Sequence, residues 1–233
     1  MQDMKDLTAV LATAALSLTL VACGSGTTSD NKTSTSTSTS TSTSTSTSTT
    51  TSATSPTPGA QANYTIADYI RDNDIQETPV HHGDPGSPNI DLPVPDGWQL
   101  LPEGSGAPYG GIAYTQPADP SDPPTIVAIL SKLTGNVEAA KILEFAPGEL
   151  KNLPGYEGSN NGSASTLSGF QAWQLGGSYT KNGKQRAVAQ KTVVIPSQDG
   201  LFVLQLDADA LDSEQDVLMD ATGVIDDQTK ITP

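Results

Sequence analysis

Two histidines, a run of carboxylates and a set of aromatic rings are the residues whose chemistry must be weighed first. His81 and His82 are adjacent. Neighbours on an extended chain point to opposite faces, so the pair cannot grip one metal ion as residues i and i+2 would. They read as part of the loop that runs into Gly83-Asp84-Pro85-Gly86. Ser105 lies in Gly104-Ser105-Gly106, and no G-x-S-x-G elbow exists to present a nucleophile to either histidine. Asp207, Asp209, Asp212, Glu214 and Asp216 form an acidic cluster. A calcium loop counted from Asp207 needs Asp or Asn at its fifth position and Gly at its sixth, where the chain has Leu211 and Asp212. The cluster reads instead as acids favouring the N-terminal dipole of the last helix. Lys181, Lys184, Arg186 and Lys191 gather positive charge on one hairpin. That reads as a solvated strand edge guarded by charge, with an anionic headgroup or acidic partner as the alternative. These readings imply no catalytic residue, no metal and no cofactor. The candidate ligand-binding residues are aromatic: Trp98, Tyr109, Tyr114, Phe170 and Trp173. Such rings line apolar clefts between sheet and helix, and Trp and Tyr also stack on sugars.

The single cysteine carries the firmest chemical signal. Leu7 to Ala22 is an apolar run of 16 residues that ends in Leu20-Val21-Ala22-Cys23-Gly24. The run is short of the ~20 residues that span a bilayer and fits the apolar region of an export signal. Its end resembles the bacterial lipobox, in which the thiol becomes a thioether to diacylglycerol. Cys23 is therefore the expected lipidation site, with residues 1–22 removed as a signal peptide. The mature chain would carry two or three acyl chains, enough for stable anchoring. Lone Cys23 also excludes an intramolecular disulfide framework.

Residues 23–63 read as a tether. The tract Thr33–Ser52 is Ser and Thr alone, and Gly24 to Asn63 holds no apolar side chain larger than Ala. Such a segment cannot bury a core. As a coil it spans about 35 Å, and fully extended roughly 130–140 Å. The net charge is −15 over 233 residues, and a nucleic-acid partner is excluded because counterion displacement needs a basic surface.

Residues 64–233 must position whatever chemistry the protein has. Thr65 caps a short helix with Asp68 at its third position. Residues 79–124 hold 11 prolines, which break regular structure into short strands such as Gly97–Leu101 and Gly111–Thr115. Thr125–Leu130 is apolar on both faces, as a covered central strand is. Asn136–Phe145 has a helical apolar stripe, which Pro147 kinks or follows with a separate turn. Tyr156–Thr166, Gly169–Tyr179, Arg186–Ile195 and Leu201–Leu206 read as consecutive strands. Asn182-Gly183 turns one hairpin and Ser197–Gly200 another. Val217, Leu218, Ala221, Val224 and Ile225 mark a final amphipathic helix. The order implies an α+β domain, an antiparallel β-sheet flanked by helices.

The stretches Tyr64-Thr65-Ile66-Ala67-Asp68-Tyr69-Ile70, Ile75-Gln76-Glu77-Thr78-Pro79-Val80 and Asp91-Leu92-Pro93-Val94-Pro95-Asp96-Gly97-Trp98 resemble the LpqN/LpqT family of mycobacterial lipoproteins. The resemblance covers residues 64–233 and implies a Mog1/PsbP-like fold. It implies a non-catalytic lipoprotein on the extracytoplasmic face of the cell membrane, in part secreted. It further implies a role in binding or trafficking trehalose- and mycolate-type glycolipids. The alternative is a protein-interaction module or secreted antigen that docks to an envelope transporter or a host protein.

Overall fold

The structure, a computed structural model, describes residues 62–102, 105–159 and 161–233. The expected signal peptide, Cys23 and the tether through residue 61 lie outside the described residues. Helix α1 (Ile66–Asp72) begins as its first residues dictate: the Thr65 hydroxyl accepts from the Asp68 amide at 3.1 Å, and the Asp68 carboxylate accepts from the Thr65 amide at 3.0 Å. The proline-rich stretch yields only short strands: β1 (Gln76–Val80), β2 (Asn89–Asp91), β3 (Trp98–Leu100) and β4 (Gly110–Tyr114). Strand β5 (Thr125–Thr134) follows, with Ile126, Ala128 and Leu130 buried on one face and Val127 and Ile129 half-buried on the other.

Helix α2 (Ala139–Phe145) starts three residues later than its apolar stripe suggested, because Glu138 is still extended. Pro147 opens a separate helix, α3 (Pro147–Lys151), where its missing amide hydrogen costs nothing. Gly148 is required there: a Cβ would lie 2.2 Å from the Tyr64 carbonyl oxygen. The segment expected to be one strand over 156–166 is two, β6 (Glu157–Gly158) and β7 (Ser163–Leu167). Gly162 between them has φ +69°, which ends one pairing and starts another. Strands β8 (Phe170–Lys181), β9 (Lys184–Ser197) and β10 (Gly200–Leu211) are long hairpin partners. The Asn182-Gly183 turn has both residues at positive φ, as a tight type I′ hairpin demands. A 3₁₀ turn at Asp212–Glu214 leads into α4 (Gln215–Gln228), and β11 (Lys230–Thr232) pairs with β2.

The main sheet is antiparallel, in the order β3-β4-β5-β10-β9-β8-β6, with β1 also on β5 and β7 also on β8. One face packs on α1 and α2 through Leu133, Val194, Val203 and Ile142. The other packs on α4 and the β2–β11 ribbon through Leu130, Leu204, Leu218 and Ile231. The architecture is the α+β sheet with flanking helices that the pattern implied.

Two expectations fail here. Strand β10 runs five residues past Leu206, because Ala208 and Ala210 continue the alternation into the core. Asp207 and Asp209 are thus strand residues on the opposite face, whereas Asp212, Glu214 and Asp216 do lie in the first turns that open the last helix. The basic hairpin is not a sheet edge: β9 lies between β10 and β8. Arg186 is buried against Asp209 and Asp122, and Lys191 against Asp226, so pairing rather than solvation holds these two charges, whereas Lys181 and Lys184 are exposed as expected.

Candidate functional site

The register of the sheet builds a trough on the face that carries α4. Gly176, Ala189, Ala208, Ile126, Ile112 and Leu100 form one continuous cross-strand row from β8 to β3. Gln174, Lys191, Leu206, Ala128 and Gly110 form the next. Paired residues share a face, so both rows look up at α4. Six strands at 4.7–4.9 Å spacing make the floor about 24 Å long, perpendicular to the strands. Its β8 half is floored by Gly176, Ala189 and Ala208, too small to fill the space beneath a helix. A cavity of about 350 Å³ remains there, and one of about 240 Å³ remains at the β4 side, between sheet and β2. Ile126, Leu206 and Ile225 line both. Ile225 of α4 is 4% exposed and roofs the junction.

Polar groups border both ends, and the buried ion pair lies at one of them. The β8 end is rimmed by Ser163, Gln174, Lys191, Thr222 and Asp226. The Lys191 ammonium sits 2.7 Å from the Asp226 carboxylate and 3.3 Å from the Ser165 hydroxyl. The far end is lined by Ile90, Leu92, Pro93 and Ile112 together with His82 and Tyr109. Asn89 and Asp91 border it, but β2 turns Ile90 inward and leaves those two exposed. Leu100 and Met219, which border opposite ends, are 69% and 52% exposed.

Of the aromatic candidates, Tyr109 lines the trough. Its hydroxyl accepts from the Ile90 amide at 3.1 Å and donates to the Pro88 carbonyl at 3.3 Å, tying the ribbon to the sheet. Trp98 and Tyr114 pack on each other at 5.7 Å. Phe170 packs half-buried against the α4-side core, whereas Trp173 belongs to the opposite face and donates its indole hydrogen to the Asn161 carbonyl at 2.6 Å. The five rings therefore do not converge on one cleft. The floor of small residues escaped sequence reasoning because Gly176, Ala189 and Ala208 become neighbours only through register.

His81 lies on an exposed turn, 3.6 Å from Asp84, and the His82 ring faces Tyr109 at 5.7 Å. Among the described residues no group of three or more His, Cys, Asp or Glu side chains converges as a metal site. On the face away from α4, Glu149 accepts hydrogen bonds from Gln190 and Gln205, and Gln190 also donates to Asp207. Burial, reinforced by the Glu149 charge and opposed by the Gln190 hydrogen bond, pushes the Asp207 carboxyl up to about 6. This cluster lies across the sheet from the trough.

A family model described as "Probable lipoprotein LpqN" matches residues 62–232. "Lipoprotein LpqN" of Mycobacterium tuberculosis is 78% identical over 174 residues, 75% of this chain and 76% of that protein. The crystal structure described as "LpqN involved in cell envelope biogenesis of Mycobacterium tuberculosis" superposes with a TM-score of 0.73 at 78% identity, covering 74% of this chain and all of that one. No helix among the described residues is long and apolar enough to cross a membrane. The chain belongs to the LpqN lipoprotein family.

Proposed function

We propose that this protein is a non-catalytic cell-envelope lipoprotein whose trough binds a glycolipid and helps to traffic it. Residues 1–22 serve as the export signal, Cys23 carries the acyl anchor on the extracytoplasmic face, residues 23–63 are the tether, and 64–233 the ligand-binding domain. The trough carries this reading. It offers an apolar floor with a rim of hydroxyls, an amide and a Lys191–Asp226 pair whose charges cancel. Such a rim presents both donors and acceptors at no net charge, which suits a hydroxyl-rich sugar better than an anionic headgroup. The relative's part in envelope biogenesis supports the same assignment, and the family resemblance favours a trehalose-linked mycolic lipid.

Native mass spectrometry of the domain, gently purified from a mycolate-producing host, tests it. A retained adduct of glycolipid mass is expected. A clean apo mass, together with no saturable binding of added glycolipid, would overturn it in favour of a surface that docks a transporter or host protein.

A further inference from the structure

We infer that the polar cluster beneath α3, on the face away from α4, is a calcium site built from Glu149, Asp207, Gln190, Gln205 and Thr192. It does not depend on the glycolipid reading. Strand register makes its floor. Gln190 pairs with Asp207 and Thr192 with Gln205, so these four side chains form a square on one face of β9 and β10. One step further along that face Val194 pairs with Val203 in the core. At the square polar side chains take the place of apolar ones, although Gln190 is 7% exposed and Thr192 fully buried. Glu149 reaches down from α3: its carboxylate accepts from Gln190 at 2.9 Å and from Gln205 at 2.8 Å. The same Gln190 nitrogen donates to an Asp207 oxygen at 2.9 Å. The five residues come from three elements, which is why no loop motif marks them.

Two features call for a cation. Two carboxylates meet here, and among the described residues no lysine or arginine forms an ion pair with either. Charge held away from water is ordinarily paired or bound to a metal. The Thr192 hydroxyl, on the face of the square, is buried and has no hydrogen-bond partner. Every group present can offer oxygen, the ligand atom calcium takes: two carboxylates, a hydroxyl, and two amides in which a half-turn exchanges nitrogen for oxygen. Gln190 now bridges the carboxylates, so their oxygens lie at most twice 2.9 Å apart. Calcium at about 2.3–2.6 Å from each needs a closure of about 1 Å at most. A doubly charged ion cancels the two charges. Glu149, Gln205 and Asp207 are half-buried, which leaves the ion a way in.

The test is isothermal titration of calcium chloride into the metal-stripped domain at pH 7 and about 0.15 M salt, where exposed charges are largely screened. The solved relative matches this chain over the domain alone, which supports using the domain by itself. One ion per domain is expected, with a dissociation constant of roughly 0.1–1 mM, the range of extracellular calcium modules. A tenfold excess over that constant should raise the melting temperature by about 4 °C. Asp207→Asn and Glu149→Gln should each weaken binding at least about tenfold, and Thr192→Val about threefold. Without calcium, Asp207→Asn should be no less stable than the parent chain, so its lost binding is not lost folding. Asp227→Asn, exposed on α4, should change nothing. Absence of a saturable signal would overturn the site. So would a response that Asp227→Asn diminishes as much as Asp207→Asn, the mark of a diffuse ion atmosphere. Magnesium binding as tightly as calcium would overturn the assignment to calcium.

Discussion

Arg186 has a side chain only 5% exposed, and its guanidinium joins strand to loop: Nε meets Asp209 at 2.6 Å and Nη1 meets Asp122 at 2.7 Å. The Tyr179 hydroxyl donates to the other Asp209 oxygen at 2.5 Å. Arg186, through its hydrogen bond and charge, holds the Asp122 carboxyl below its usual range. Arg186→Met keeps the stem but strands both carboxylates. We expect a loss of about 3 kcal/mol in urea denaturation, the low end for a broken buried pair, because both acids keep some contact with water. Asp207 behaves in the opposite sense. Its folded pKa of about 6 lies above the model-peptide value of 3.8, so between those values the native state holds more protons than the unfolded one. Stability therefore falls as pH rises through that window and stays reduced above it. Asp207→Asn should raise stability at pH 7 by up to about 3 kcal/mol, with the gain fading near pH 4. Parallel melts at the two pH values would read it, and an equal gain at both would contradict the linkage.

At the level of elements, the trough exists because α4 lies over strands whose facing side chains are glycine and alanine. A Cβ added at Gly176 would have the Val188 carbonyl oxygen as its nearest neighbour at 3.4 Å, so a side chain fits there with little adjustment. Glycine inside a strand also costs stability through its freedom in the unfolded chain. Gly176→Val should thus leave the melting temperature unchanged or raise it, while filling the near cavity and cutting glycolipid retention at least about tenfold. Retention equal to the parent protein would show that the ligand lies elsewhere. The Lys191–Asp226 pair fixes the C-terminal half of α4 to the sheet on the same rim, so the roof of the trough is held by the groups proposed to meet the headgroup.

For the whole molecule, the proposal joins an anchor and a domain through 40 residues that hold no apolar side chain larger than Ala. Cys23→Ser should move the protein from the membrane fraction to the soluble fraction without changing the domain's melting temperature. Retention in the membrane pellet would contradict the lipobox reading. The domain's own glycolipid affinity should be the same in both forms, because the trough is built entirely from residues of the folded part.

Local chemistry was legible along the chain. The Thr65–Asp68 capping box, the Asn182-Gly183 turn, the doubly apolar β5 and the stripe of α4 each follow from residues a few positions apart, and each forms as read. Even the α+β class follows, since element order restricts how apolar faces can be covered. What distant residues decide together was not legible. The basic hairpin looks like an edge until β8 and β10 flank it, and Arg186 looks solvated until Asp122 and Asp209 arrive from 64 and 23 residues away. The tertiary structure alone brought Gly176, Ala189 and Ala208 into one row and set α4 above them. No residue in the row is distinctive by itself. The proposed site is an absence of side-chain volume, and only strand register can line up small residues from three strands into one space.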